Sequence, residues 1–342
     1  MLDDPSMSTS PVPSPFKFME AAFAFHESHA VAAAIELDIF TAVSEGHSTP
    51  AEIGLKCGAS ERGVRILCDY LCVKGFLLKD RGRYSNTQDS EVFLNGNSPA
   101  YMGSSVAFFH HPRMMAQFDG FTDTVRRGGA KDEAVTAPDE AVWTSFADAM
   151  LPIVSKSATY VADLLGDGGG APWKVLDVAS SHGAFGIAVA KQNLAATVVG
   201  NDWAPVLEYS KQNAELAGVG ERYELLPGSA FDVEYGTDFD VILVPNFLHH
   251  FDVATNTAFL TKCHRALKKG GQLVVVEFVV NEDRLGPPFP ALFALQMLAA
   301  TPGGDCYSEQ QLVEMLATAG FPHPEVYCEE GMPFKVLLST RA

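Results

Sequence analysis

The chain has 342 residues, 47% of them hydrophobic and 19% charged, which is ample material for packed cores and excludes a disordered polymer. Lys and Arg number 24 against 42 Asp and Glu, and the formal charge of −18 counts against a nucleic acid or an anionic membrane as partner. A length of this order favours two domains.

The N-terminal stretch (MLDDPSMSTSPVPSPF) is acidic and Pro/Ser-rich, without the basic and apolar regions of a signal peptide. Six cysteines without a C-x-x-C pair fit reduced thiols, and a cytoplasmic chain is expected. Residues 15–97 read as a helical module. Ala21–Phe40 is apolar at helical spacing, and Thr49-Pro50-Ala51-Glu52 has the cap, proline and acid that open a helix. Ser60 caps a third helix with Val64, Leu67 and Leu71 inward; Cys68 and Cys72 share a face as core residues. A strand pair follows around Arg81-Gly82. Three helices and a hairpin make a winged helix. Residues 20–95 carry seven Lys and Arg against eleven Asp and Glu, so the basic stripe of a DNA reader is missing and a homodimerisation unit is expected.

Residues 98–165 form a helical connection rich in aromatic and Met side chains, including Phe146 and Met150. Most of these are expected in the core, a minority in an apolar pocket for a small-molecule acceptor. Gly166–Pro172 is a flexible connection, and residues 166–342 form the second domain. The longest apolar run, 289–300, contains Pro290 and is shorter than the roughly 20 residues a membrane span needs.

From Trp173 the pattern alternates. Strands are expected near 174–178, 197–201, 223–226, 239–244 and 272–280, with helices near 183–192, 204–217, 254–267 and 308–319; two last runs, 325–328 and 334–339, make a closing hairpin. This rhythm predicts an α/β domain with a mostly parallel sheet covered on both faces. Ligands of such sheets sit outside the carboxyl ends of the strands. Asp177, Asp202, Ser229, Asn246, His249 and Glu277 all fall there.

KVLDVASSHGAFG (174–186) reads as a strand ending in Asp177, a small-residue turn and a helix, and the next strand ends in Asp202. Two strand-tip acids flanking such a turn suit a nucleoside with a charged tail. The loop lacks the G-x-G-x-x-G of a dinucleotide site, having Ala179, Ser180, Ser181, His182 and Gly183 instead, which argues against NAD and towards S-adenosylmethionine. Asp202 suits the ribose hydroxyls, with Trp203 beside the ring, although an Asp there also suits a plain helix cap. Ser229, Ala230 and Phe231 would flank the adenine, or form a simple turn.

Asn246-Phe247-Leu248-His249-His250-Phe251-Asp252 carries the sharpest catalytic signal. Histidine is the side chain best suited to proton transfer near neutrality. Adjacent residues of an irregular segment point different ways, so one of the two histidines at most is expected to face substrate. Glu277, an acid inside LVVVEFVV, needs a partner, which a histidine of the neighbouring strand end supplies. The His-His and Cys-His pairs are adjacent and lack metal-ligand spacing; no metal is expected.

With these landmarks, and with PGSAF, LKKGGQLVVVEF and ATPGGDCYSEQQLVEMLATAGF, the chain resembles the two-domain, metal-independent O-methyltransferases typified by caffeate and hydroxyneurosporene O-methyltransferases, from about Phe16 to Arg341. The resemblance implies a winged-helix dimerisation domain before a Rossmann-like domain that binds S-adenosylmethionine and releases S-adenosylhomocysteine. It implies His249 as general base, Glu277 as the acid orienting it, and Phe146 and Met150 in the donor and acceptor pocket, with His250 nearby. Three departures stand out. Only Gly183 survives of the glycine-rich turn, Ser229 replaces an adenine-binding Asp, and Cys306 occupies the place of a second supporting glutamate, with Asp305 offset by one. Methyl transfer to an oxygen of a small aromatic or polyketide-like acceptor is the expected reaction. C- or N-methylation on the same fold, another reaction dependent on S-adenosylmethionine, and a non-catalytic winged-helix regulator are the alternatives.

Overall fold

A computed structural model describes residues 13–131, 140–329 and 332–342, with the side chains of 140–149, 152 and 153 left out. The chain divides into two compact units, Met1–Val106 and Ala107–Ala342.

The first unit contains α1 (Phe16–Glu36), α2 (Ile39–Ser44), α3 (Pro50–Cys57) and α4 (Glu61–Val73). A hairpin of β1 (Leu77–Asp80) and β2 (Arg83–Asn86) and then α5 (Gln88–Phe93) follow, and α6 (Ser105–Phe109) crosses the division. The starts of α3 and α4 are written locally. Thr49 Oγ1 accepts the Glu52 N–H while Glu52 returns to the Thr49 N–H, and Ser60 Oγ accepts from Gly63. Ile39, Phe40, Ile53, Val64, Cys68, Leu71, Leu77 and Tyr84 close the core. Burial pushes the Cys68 thiol up to about 12, so it is inert packing. The expected helices and hairpin are therefore present, with the first apolar segment broken into α1 and α2 and with α5 added.

In the second unit α7 (Pro112–Ala116), α8 (Phe121–Arg127) and α9 (Glu140–Leu165) precede the sheet. Five strands, β3 (Lys174–Val178), β4 (Thr197–Asp202), β5 (Tyr223–Pro227), β6 (Phe239–Pro245) and β7 (Leu267–Phe278), are parallel. The closing hairpin is β8 (Glu325–Tyr327) and β9 (Phe334–Thr340), and β9 runs antiparallel to β7. The sheet order is β5-β4-β3-β6-β7-β9-β8. Between the strands lie α10 (Ala184–Gln192), α11 (Ala204–Leu216), α12 (Val253–Ala266), α13 (Pro288–Ala300) and α14 (Glu309–Thr318).

Alternation along each strand builds two cores. Val175, Val241, Leu243, Val274 and Val276 face α9 and α10 through Val154, Val161, Phe185 and Val189. Leu176, Ile242, Val244, Leu273 and Val275 face α12 and α14 through Phe259, Leu260, Leu312 and Leu316. Because both faces are covered, the strands read as continuous apolar runs. Chain order reverses between β3 and β6, the position where sheets of this kind bind ligands outside the carboxyl ends of their strands. Among the described residues no helix is long and apolar enough to cross a membrane. The apolar run at 289–300 proves to be α13, started by Pro288 at its first position.

Candidate active site

The turn after β3 keeps the backbone of a glycine loop without the glycines. Ala179 and Ser181 have φ of 49° and 50°, and Gly183 has 75°. Left-handed backbone at non-glycine residues is strained and concentrates at ligand sites. Gly186 allows the helix to approach, since a Cβ there would lie 2.7 Å from Val198 Cγ1. Its N–H donates to Asp177 Oδ2 at 2.9 Å, while Asp177 Oδ1, fully buried, has no partner. Burial raises the Asp177 carboxyl to about 7.

Asp202 is not the cap of α11, whose first flanking residue is Trp203. Its Oδ2 accepts the Ser181 N–H at 2.8 Å and its Oδ1 the Trp203 N–H at 2.7 Å, tying the tip of β4 to the β3 turn. Burial raises it to about 6. His182, unassigned from sequence, is buried beneath the loop. Its Nδ1 accepts the Ala184 N–H at 3.1 Å, and burial holds its pKa down at about 4, so it stays a neutral cap. After β5, Ser229 Oγ accepts from the Phe231 N–H at 3.2 Å, and Phe231 packs on Phe247, Phe251 and Phe259. Asn246, with φ 52°, follows β6 and leaves its buried Oδ1 without a partner. Unpaired acceptors at Asp177, Asn201 and Asn246, and the unpaired Ser181 Oγ, are costly unless a ligand supplies donors. Hydroxyl and amino groups such as those of S-adenosylmethionine would supply them, and the residues present fit it.

The histidine turn is held from four directions. Asn256 donates to the carbonyls of Leu248 and Phe251, Tyr307 donates to Phe251, and the Asp305 N–H donates to the His249 carbonyl at 3.0 Å. From β7, Glu277 Oε1 accepts the Leu248 N–H at 2.7 Å and the His249 N–H at 3.3 Å, while Oε2 meets His249 Nδ1 at 2.7 Å. Both side chains are buried. The pairing expected for Glu277 is thus present across 28 positions of sequence.

Two expectations are corrected here. The rings of His249 and His250 do not diverge: a 3₁₀ turn over Leu248–His250 brings their centroids to 4.3 Å. His250 Nδ1 is buried without a partner, and burial and the His249 ring keep its pKa well below the ordinary value. The Asp305 carboxylate pairs with Arg284 at 2.9 Å and not with His249. Cys306 is fully buried, donates Sγ to the Phe278 carbonyl at 3.0 Å, and is raised to about 12 by burial and by Glu277 nearby. It is a neutral thiol and adds no second charge. Phe293 of α13 sets its ring edge on His249 at 4.9 Å and packs on Phe278 at 4.7 Å, and Phe289 continues this aromatic wall. None of the three was assigned from sequence, although a proline-led apolar run was the available signal. Met150 is half-buried on α9; the Phe146 side chain lies outside the described residues.

Residues 170–322 match the profile of the O-methyltransferase domain, and residues 19–96 that of the O-methyltransferase dimerisation domain. A solved structure from Nostoc punctiforme PCC 73102, assigned as an O-methyltransferase, is 42% identical and superimposes with a TM-score of 0.92 over 97% of this chain and 100% of its own. The chain is also similar to 3-hydroxy-5-methyl-1-naphthoate 3-O-methyltransferase of Streptomyces sahachiroi, 26% identical and covering 90% of this chain and 89% of the relative. It is 25% identical to L-tyrosine C(3)-methyltransferase of Streptomyces lavendulae, with 86% and 83% covered. A domain of this family on the sheet just described, with the family's dimerisation domain ahead of it, places the chain in the S-adenosylmethionine-dependent O-methyltransferase family.

Proposed function

We propose that this enzyme methylates a hydroxyl of a small aromatic or polyketide-like acceptor, with His249 as general base. The observation that carries this reading is the buried His249–Glu277 pair at the carboxyl end of β6, against an aromatic wall. Glu277 holds Nδ1 as the protonated nitrogen, so Nε2 is the one with a lone pair for the acceptor hydroxyl. When bound, S-adenosylmethionine supplies an electrophilic methyl group. His249 Nε2 would take the proton of the acceptor hydroxyl, and Glu277 would stabilise the resulting imidazolium.

In the same reading Asp202 and Trp203 hold the ribose, and Asp177, Ala179, Ser180, Gly183 and Asn246 the amino-acid end. Ser229, Ala230 and Phe231 flank the adenine. Met150, Phe146, His250 and Cys306 line the acceptor side, whereas Asp305 serves through its backbone. Residues 15–97 make the homodimer, 98–165 the connection that lines the pocket, and 166–342 the catalytic domain, in a cytoplasmic protein without a nucleic-acid or membrane partner. The relative that methylates a naphthoate hydroxyl supports an oxygen on an aromatic acceptor; the relative named for C(3)-methylation of tyrosine favours a second reading, transfer to an aromatic carbon.

The test is a panel of naphthoic and hydroxylated polyketide acids incubated with methyl-labelled S-adenosylmethionine, with products mapped by mass spectrometry and NMR. Label on oxygen that His249→Gln abolishes supports the proposal. Label on carbon, or on oxygen at undiminished rate in His249→Gln, overturns it.

A further inference from the structure

Lys262 lies on α12, outside every cofactor and acceptor residue named above. Its ammonium donates to three carbonyls of one loop: Ala230 at 2.9 Å, Phe231 at 2.9 Å and Val233 at 2.6 Å. The same nitrogen sits 4.2 Å from the centroid of the Tyr235 ring, and Tyr235 in turn donates its hydroxyl to Ala230 at 2.7 Å. Three carbonyl dipoles that converge on one point repel each other; a cation at that point turns the arrangement into the favoured one. All three N–H donors of Lys262 are thereby used, and the ring face adds a cation–π contact.

The other side of the loop is tied to the site. Asn201 donates to the carbonyls of Leu226 and Gly228, the Gly228 N–H donates to the Asp202 carbonyl at 2.9 Å, and Gly228 itself has φ 133°, open to glycine alone. The segment 228–235 therefore spans a clamp at Asp202 and a clamp at Lys262. Between them stand Ser229, Ala230 and Phe231.

We infer that Lys262 is a positioning residue for the cofactor: it fixes the loop that faces the adenine without touching the ligand. This rests on the assignment of that loop to the adenine. The same loop touches the His249 turn through Phe231 on Phe247 and Phe251, but that turn has its own hydrogen bonds from Glu277, Asn256 and Tyr307, so the clamp bears chiefly on cofactor affinity.

Calorimetric binding of S-adenosylhomocysteine to the full chain tests it, alongside amide hydrogen exchange of the unliganded protein. Lys262→Met keeps the stem and removes the cation; Lys262→Gln keeps a neutral donor if the Met variant does not fold; Lys262→Arg restores a charged donor. The expected result is at least tenfold weaker binding in the Met or Gln variant, about 1.4 kcal/mol. Arg should return it to within threefold of the parent. Exchange should accelerate across 228–235 and stay slow across 248–252. A Met or Gln variant that binds within twofold of the parent, or an Arg variant as weak as Met, overturns the inference. If the parent protein does not bind S-adenosylhomocysteine at all, the cofactor assignment fails, and the inference with it.

Discussion

His249 Nδ1 lies 2.7 Å from Glu277 Oε2, and Glu277 spends its other oxygen on the backbone N–H groups of Leu248 and His249. One carboxylate thus sets both the position of the turn and the tautomer of the ring. Replacing it with an amide keeps the shape but turns an N–H₂ towards Nδ1, so the proton moves to Nε2 and the lone pair is lost to the acceptor. Glu277→Gln is expected to lower kcat by about the 10²–10⁴-fold that general-base help supplies. His249→Gln should cost as much, and the double variant little more, because the two act as one unit. S-adenosylhomocysteine affinity, followed by calorimetry, should stay within about threefold. Additive losses in the double variant would separate the two residues.

His250 stands beside the base but lacks a carboxylate partner, so it cannot replace His249. On the proposed acceptor-side placement of His250, His250→Gln is expected to raise the acceptor KM while leaving kcat within a few-fold, because the His249–Glu277 pair is kept. Steady-state kinetics on any accepted phenol decides this. A loss equal to that of His249→Gln would move the base to His250.

If Asp177 and Asp202 hold the cofactor as proposed, they make its affinity pH-dependent. Burial raises them from 3.8 to about 7 and about 6, so the folded protein holds protons there that the unfolded chain has released. By linkage, these groups lower the stability of the free enzyme as pH rises from about 4 to 7, the reverse of the usual carboxylate behaviour. Ligand hydroxyls and an ammonium favour the ionised acids. S-adenosylhomocysteine should therefore bind more tightly from pH 5.5 to 8 and release protons on binding, measurable from calorimetry in buffers of different ionisation enthalpy. Asp202→Asn should weaken binding and flatten the profile. A pH-independent affinity would remove this account.

Asp305 should prove dispensable as a side chain. Its ion pair with Arg284 is exposed, and such pairs contribute roughly 0–1 kcal/mol. Asp305→Asn is expected to change kcat by less than about twofold and the melting temperature only slightly. The neighbouring Gly304 is different: a Cβ there would come 2.3 Å from the His249 carbonyl, so Gly304→Ala must displace the turn and should impair turnover strongly. Measuring both variants side by side discriminates a backbone role from a carboxylate role.

In the first unit, α1 exposes Phe16, Phe18, Phe23 and Phe25, with Phe16 and Phe18 at 76% and 73%. Phe16 and Phe23 share one face of this helix and Phe18 and Phe25 the opposite one, and apolar exposure of this kind on the family's dimerisation domain calls for partner surface. Light scattering at micromolar concentration should give a dimer, and Phe18→Asp with Phe25→Asp should shift it to monomer. A parent protein that is monomeric at that concentration refutes the assembly.

The alternation of β3 to β7 with helices was legible from residue pattern, as were the helix starts at Thr49 and Ser60, because strand period, helix period and caps are local properties. The strand-tip acids were legible for the same reason: once the strands are parallel, their last residues share one edge. The partner of Glu277 followed from the cost of a lone buried carboxylate. What depended on the tertiary structure was every relation between different loops. A 3₁₀ turn, invisible to periodicity, set the His250 ring against His249. The approach of Gly304 to the turn carried Asp305 outward to Arg284 and put Cys306 inside. Nothing in the local pattern of α12 marks Lys262; only the fold brings the loop after β5 back so that three carbonyls meet its ammonium. Local patterns specify which elements form and which face is buried; the contacts among loop ends arise from sheet order and packing, which bring together residues far apart in the chain.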